Sequence, residues 1–238
     1  MSEGASLELG ANEIHMWSFG LEASEPEVVR CSSCLSTNEQ TRAAAFRRPQ
    51  DRVHYVVAHA ALRERLAGYL GCAPAALGFR TGPHGKPELG EGFPATLRYN
   101  LSHSGGRALL AVARGCEVGV DLEQMNRDVD MAGVVATHFS ATEQRTWAAL
   151  PPSQKPAGFF HGWVRKEAYV KARGEGLLRN GAAYTVELDP ARPAALLADV
   201  LVPDAPAHWR IEGLEVAAGF AAALAYAGPV RRVVVREL

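Results

Sequence analysis

The chain has almost no lysine. Lys86, Lys155, Lys166 and Lys171 are the only lysines among 25 Lys+Arg in 238 residues. Arginine carries the rest of the positive charge. An ammonium is a compact, tunable point charge that a guanidinium does not freely replace, so lysine is expected where arginine would not serve. Cysteine is also sparse. Cys31 and Cys34 form one C-x-x-C, and Cys72 and Cys116 supply no second pair at zinc-site spacing. Structural zinc is therefore not expected, and free thiols are the reading. Charge of one sign is missing too. The formal net charge is -1, which argues against bulk attraction to nucleic acid or an anionic membrane. Long hydrophobic runs are absent. The Ala-rich segment Val216 to Ala227 is too short to span a bilayer and contains Gly219. No basic region followed by an apolar run opens the chain, so a cytoplasmic protein of one large or two small domains is expected.

What is present alternates between helical and strand-like periods. Glu13 to Leu21 reads as a strand after a loose polar arm over residues 1–12. Leu35 to Phe46 reads as a short helix, with Ser36 or Thr37 as its cap and Glu39 in its first turn. Pro49 to Gly71 is the clearest helix and carries Arg52, His54, Arg63 and Arg65. Gly82 to Gly92 reads as a loop. Arg98 to Leu101 and Ala108 to Ala113 read as strands joined by a loop, Ser102-His103-Ser104-Gly105-Gly106. Val118 to Leu122 is a further strand. Helices are expected over Asp128 to Val135, Ala141 to Leu150 and Phe159 to Ala172. Strands follow over Ala183 to Leu188, His208 to Val216, Phe220 to Ala227 and Val230 to Arg236, with Pro190 to Pro206 as a long connection. No regular βαβ cadence appears, so the fold class is α+β with mainly antiparallel strands.

Two segments carry chemistry. In Gly119-Val-Asp-Leu-Glu123, Asp121 and Glu123 stand two apart and share one face of a strand. Two carboxylates on one face suit a hard cation such as Mg²⁺, and equally describe an exposed acidic strand. In the helix after Trp163, Glu167 and Lys171 stand at i,i+4 with Lys166 adjacent. That is the spacing of a surface salt bridge, or of lysines clamping phosphate beside a carboxylate base. The Ser102 to Gly106 segment offers hydroxyls, an imidazole and backbone N–H groups to an anion, or is simply a polar turn. It is neither a Walker loop nor a nucleophile elbow.

Taken in order, Asp51 to Arg63, Gly85-Lys-Pro87, Asn100-Leu-Ser-His-Ser104, Gly119 to Glu123, Phe139 to Glu143 and Trp163 to Leu177 resemble the 4′-phosphopantetheinyl transferases of the surfactin-synthetase-activating type. Each motif is weak alone; six in colinear order are specific. The resemblance implies two similar α+β subdomains related by a pseudo-twofold, residues 1–117 and 118–238, with coenzyme A between them. It implies transfer of phosphopantetheine from coenzyme A to a serine of an acyl or peptidyl carrier protein, with release of adenosine 3′,5′-bisphosphate. By position it implies Asp121, Glu123 and Glu143 as ligands of Mg²⁺ or Mn²⁺, Glu167 as general base, and Lys166 and Lys171 as phosphate contacts and catalytic cations. Lys86, Ser102 and His103 match coenzyme A contacts, and Arg42 with Arg52 or His54 falls near the 3′-phosphate. Glu39 departs from relatives that have lysine there. A monomer is implied, without nucleic acid or membrane partners, and Arg42, Arg47 and Arg48 are candidate carrier-docking residues. The competing readings are a Mg²⁺-dependent phosphohydrolase acting on a coenzyme A-like pyrophosphate and a binding module without catalysis.

Overall fold

The computed structural model describes residues 7–125, 128–176 and 180–237. The first six residues of the expected arm, and Leu177 at the end of the last motif, lie outside the described residues. The fold is α+β, built on two sheets packed face to face, each covered on its outer side by one long helix.

The first sheet has the order β11-β1-β5-β4, from Glu13–Gly20 (β1), Leu97–Ser104 (β4), Arg107–Arg114 (β5) and Arg232–Glu237 (β11). All its neighbours are antiparallel except β1 and β11, which run parallel. The second sheet, β6-β10-β9, is antiparallel and comprises Val118–Gln124 (β6), Trp209–Gly213 (β9) and Phe220–Ala227 (β10). Alternation of side chains across each strand assigns the faces. Trp17, Phe19, Leu110 and Val112 pack against Ala58, Leu62 and Leu66 of the helix Pro49–Leu70 (α3). Ile14, Met16, Leu109 and Ala111 face the other way and meet Val118, Val120, Leu122 and Leu224 of the second sheet.

The outer face of the second sheet receives the helix Lys155–Arg173 (α6). Small residues make this seat. Ala221, Ala223 and Ala225 of β10 share one buried cluster with Phe160, Val164, Ala168 and Ala172 of α6. A Cβ on Gly119 of β6 would lie 2.2 Å from the Ala168 carbonyl oxygen and 2.3 Å from the Ala172 nitrogen. The helix backbone rests on that glycine. Gly174 at φ 69° ends the helix in the left-handed conformation that glycine tolerates.

Smaller elements complete the molecule. Helices Glu25–Ser32 (α1) and Thr37–Ala44 (α2) precede α3. The hairpin of Phe79–Thr81 (β2) and Pro87–Leu89 (β3) occupies part of the segment read as a loop. Met131–His138 (α4) and Ala141–Ala149 (α5) lead into α6. Tyr184–Val186 (β7) pairs with Leu196–Asp199 (β8), a strand inside the expected long connection, and Ala205–His208 (α7) follows. The change of sheet at residues 117 and 118 falls between β5 and β6, and β11 returns to the first sheet beside β1.

One correction to the sequence reading bears on the site. Ser102, His103 and Ser104 belong to β4, and only Gly105 and Gly106 form the turn to β5. Both glycines have positive φ, 54° and 76°, which is what a two-residue hairpin turn of matching twist requires. The three residues before them therefore alternate in direction, with the two serines on one face and His103 on the other.

Candidate active site

β4 and β6 run side by side but belong to different sheets. Side chains replace the missing backbone ladder. The N–H groups of Val120, Leu122 and Gln124 donate to Asn100 Oδ1 (2.8 Å), Ser102 Oγ (3.3 Å) and Ser104 Oγ (3.1 Å). Each serine then turns its own proton to a carboxylate. Ser102 Oγ donates to Asp121 Oδ1 at 3.0 Å and Ser104 Oγ to Glu123 Oε2 at 2.8 Å. The two-residue period of Asn100-Leu-Ser-His-Ser104 is thus the period of β6, and it fixes both acids.

Lys171 of α6 reaches the same place. Its Nζ lies 2.5 Å from Asp121 Oδ1 and 3.1 Å from Ser102 Oγ. The Asp121 side chain is 4% exposed and that of Lys171 is 30% exposed, so the lysine approaches from the open side. Oδ2 of Asp121 is buried without a hydrogen-bond partner. Glu167, one turn before Lys171, lies close enough to Asp121 and Glu123 to feel both charges. Burial, with repulsion from Asp121 and then Glu123, pushes its pKa above the ordinary carboxylate value against the pull of Lys171 and Lys166. Burial and the Asp121 charge push Glu123 the same way, opposed by the Ser104 hydrogen bond and Lys171.

A bare buried carboxylate oxygen beside further carboxylates fits a hard cation with oxygen ligands. Among the described residues no group of three or more His, Cys, Asp and Glu is placed to hold a metal ion by itself. Asp121 and Glu123 accordingly fit a cation that keeps water and phosphate as its other ligands, the usual habit of Mg²⁺.

Cavities flank this cluster on two sides. One of about 450 Å³ is lined by Ser104, Glu123, Val134, Phe160 and Trp163. The other, about 380 Å³, is lined by Trp163, Lys166, Glu167, Lys171 and Tyr184. Trp163 is a wall of both.

Three expected site residues have other employment. Glu143 does not join Asp121 and Glu123. It closes the capping box of α5, its Oε2 accepting from Ser140 N at 2.7 Å. It also accepts from Val186 N at 2.7 Å. Lys166 Nζ lies 3.0 and 2.8 Å from its two oxygens. The same Nζ donates to Tyr184 O at 2.7 Å. Both residues are buried, Glu143 at 1% and Lys166 at 2% exposure, and such a pair holds only because each charge is neutralised and hydrogen-bonded. Glu167, not Glu143, is the third acid that the fold places near Asp121. Lys86 is the third. Its Nζ bonds Glu117 Oε2 (3.1 Å), Val118 O (3.0 Å) and Ala172 O (3.0 Å), pinning the end of α6 to the start of β6.

His103 faces α3, where His54 lies on the near side. Desolvation in this cleft, then Lys171 and His54, lower the His103 pKa. His54 Nε2 lies 3.1 Å from Glu22 Oε1 and 2.8 Å from Gln50 Nε2. Arg42 sits over the Tyr55 ring at 5.8 Å. Arg52 lies elsewhere, lining a groove with Val29, Leu35 and Val56. Sequence reasoning missed His59, whose ring stacks on Tyr55 with centroids 3.8 Å apart and whose pKa is lowered by burial and, among nearby charges, by His103 and Arg42. At i+5 from His54 it falls on a different face of α3, so no spacing rule pointed to it. It also missed Ser104, whose place in the serine alternation was visible. Glu39, the departure from relatives, pairs with the buried Arg63 at 2.7 Å and caps α2 through Ser36.

The acids of β6 thus meet the lysine-bearing face of α6 at Asp121 and Lys171. The sequence pattern of the 4′-phosphopantetheinyl transferase superfamily matches residues 117–225. The chain is 35% identical over 192 residues to the 4′-phosphopantetheinyl transferase HetI of Nostoc sp., covering 80% of this chain and 81% of that protein. It is 28% identical to the 4′-phosphopantetheinyl transferase of Bacillus subtilis, over 67% of this chain and 69% of that one. Among solved structures it is similar to a holo-(acyl-carrier-protein) synthase from Bacillus anthracis in complex with coenzyme A, with TM-score 0.37 and 22% identity over 47% of this chain and 94% of that one. The chain belongs to the 4′-phosphopantetheinyl transferase superfamily.

Proposed function

We propose that the chain moves the 4′-phosphopantetheine arm of coenzyme A onto a serine hydroxyl of an acyl or peptidyl carrier protein, releasing adenosine 3′,5′-bisphosphate, and that Asp121, Glu123, Glu167 and Lys171 carry the reaction. The observation that supports these roles is Asp121, held at one oxygen by Ser102 and Lys171 and bare at the other, beside two further carboxylates.

Asp121 and Glu123 would hold Mg²⁺, with Mn²⁺ as a substitute. The bound cation supplies charge neutralisation at the pyrophosphate. Lys171, exposed on its outer side, donates to phosphate oxygens and stabilises charge as it develops on the departing phosphate. Phosphoryl-type transfer needs mainly such positioning and charge stabilisation. Serine is a weak nucleophile at its free pKa. Glu167, whose proton affinity burial and its acidic neighbours raise, accepts the serine proton as the hydroxyl attacks. Lys166 acts through Glu143 and Tyr184, holding α6 so that Glu167 and Lys171 stay aimed at β6. His103, His54 and Arg42 form the rim for the nucleotide phosphate, with Arg42 as its cation, and Arg42, Arg47 and Arg48 face an acidic carrier surface. Among the described residues no helix is long and apolar enough to cross a membrane.

The test is whether release of adenosine 3′,5′-bisphosphate from coenzyme A requires both an apo carrier protein and a divalent cation. Release without a carrier would mark a phosphohydrolase instead, and bound coenzyme A without release would mark a binding module.

A further inference from the structure

The serine ladder between β4 and β6 has a consequence for Glu123. A hydroxyl carries one proton and two lone pairs. Ser104 Oγ accepts from Gln124 N at 3.1 Å, so its proton is committed to Glu123 Oε2 at 2.8 Å. One side chain therefore ties together the backbone of residue 124 and the carboxylate of residue 123. Ser102 does the same one step earlier for Leu122 N and Asp121. Asn100 supplies the third rung at Val120, beside Gly119, where the α6 backbone leaves no room for a side chain.

The two serine rungs are not equivalent. Ser102 also receives Lys171, so Asp121 is held from two sides. Ser104 is the one side-chain hydrogen-bond partner found for Glu123 among the described residues. Without it the Glu123 carboxylate would be free to rotate into the adjoining cavity, whose wall both residues share.

We propose that Ser104 is a positioning residue of the acidic site: by holding Oε2 of Glu123 it fixes the carboxylate and leaves Oε1 for the divalent cation that Asp121 and Glu123 would bind. This rests on the reading that Asp121 and Glu123 bind the cation. Groups that orient a metal-binding carboxylate by hydrogen bonding are worth about 10- to 100-fold in metal affinity.

The experiment titrates Mn²⁺ into the purified protein, without coenzyme A or carrier, and follows binding by electron paramagnetic resonance. The wild type, Ser104→Ala, Ser104→Thr and Asp121→Asn are compared, with melting temperatures in EDTA. Ser104→Ala is expected to bind Mn²⁺ about tenfold more weakly. Ser104→Thr, which keeps the hydroxyl and suits a strand, is expected to stay within about twofold of wild type, as a restoration of the same interaction. Hydrogen exchange at Gln124 N–H should quicken in the alanine variant and not in the threonine variant. Weaker Mn²⁺ binding in both variants alike would mean that strand packing, not the hydroxyl, matters, and would overturn the proposal. Wild-type affinity in Ser104→Ala, with binding lost in Asp121→Asn, would overturn the role of Ser104 alone. Mn²⁺ binding unaffected by Asp121→Asn, or absent from the wild type, would overturn the cation reading and this role with it.

Discussion

The ammonium of Lys171 lies 2.5 Å from Oδ1 of Asp121, and the Ser102 hydroxyl touches both, at 3.1 Å from the nitrogen and 3.0 Å from that oxygen. Through this junction α6 and β6, and the β4 edge of the other sheet, are locked in one register. The ion pair leaves the second Asp121 oxygen and the open side of the lysine for ligands.

Removing this lysine should therefore cost turnover more than binding. Lys171→Ala is expected to lower kcat by about 10²-fold, the usual loss for one preorganised donor to a developing oxyanion. Lys171→Arg should not restore it, because a planar fork cannot occupy a position built for a point charge between Asp121 and Ser102. Steady-state kinetics with an apo carrier protein checks both; near-normal kcat in Lys171→Ala would remove Lys171 from the chemistry, and near-normal kcat in Lys171→Arg would contradict the need for a point charge.

Glu167→Gln should separate activity from stability. Loss of a general base typically costs 10²- to 10⁴-fold, so kcat should fall by about 10²-fold or more with coenzyme A affinity retained. The carboxylate is destabilised by burial and by Asp121 and Glu123. Its neutral amide should raise the melting temperature in metal-free buffer at pH 7. A variant that melts below wild type, measured by scanning calorimetry in EDTA, would contradict the like-charge account.

Gly119→Ala should loosen α6. The added methyl would meet the backbone of Ala168 and Ala172 at 2.2 and 2.3 Å, and backbone cannot rotate aside. Overpacking of this kind costs about 1–3 kcal/mol. Urea unfolding should show that loss, and kcat should fall because the helix carrying Glu167 and Lys171 shifts from β6. Unchanged stability would mean that α6 is not seated on this glycine.

Much of this site was legible in the chain and some was not. The acid pair of β6, the cap at Ser36 and the end of α3 at Gly71 depend on local spacing, and the structure has them where the spacing puts them. The partner of Lys166 was not legible. Glu143 sits on a different helix, and only tertiary packing selects it over Glu167. Ser102 to Ser104 read as a loop because serine and glycine are common in turns, yet two glycines sufficed for the turn and the serines remained in the strand. Helix α1 was overlooked despite a Ser24–Glu27 capping box and Pro26 in its first turn. The return of β11 to β1 depends on contacts more than 200 residues apart, and a local pattern cannot carry that information.

Buried histidines should make the protein less stable in mild acid. Burial, aided by Arg236, lowers the His15 pKa below 6.5 in the folded state, while Glu13 opposes. The unfolded chain therefore binds a proton that the folded chain refuses, and stability falls as pH drops through about 6.5. Glu123 and Glu167, with raised pKa values, act in the opposite sense at lower pH. The difference between wild type and His15→Gln isolates the histidine. Urea midpoints between pH 7.5 and 5.5 should show a shallower decline in the variant; parallel curves would contradict the assignment.

The most direct test of the central claim is the intact mass of an apo carrier protein after incubation with coenzyme A, Mg²⁺ and this protein. The account predicts a mass gain equal to one phosphopantetheine arm on the carrier serine. That gain should be lost with EDTA and strongly slowed in the Glu167→Gln and Asp121→Ala variants. A carrier of unchanged mass with the wild-type protein, or modification at undiminished rate by Asp121→Ala, would contradict it.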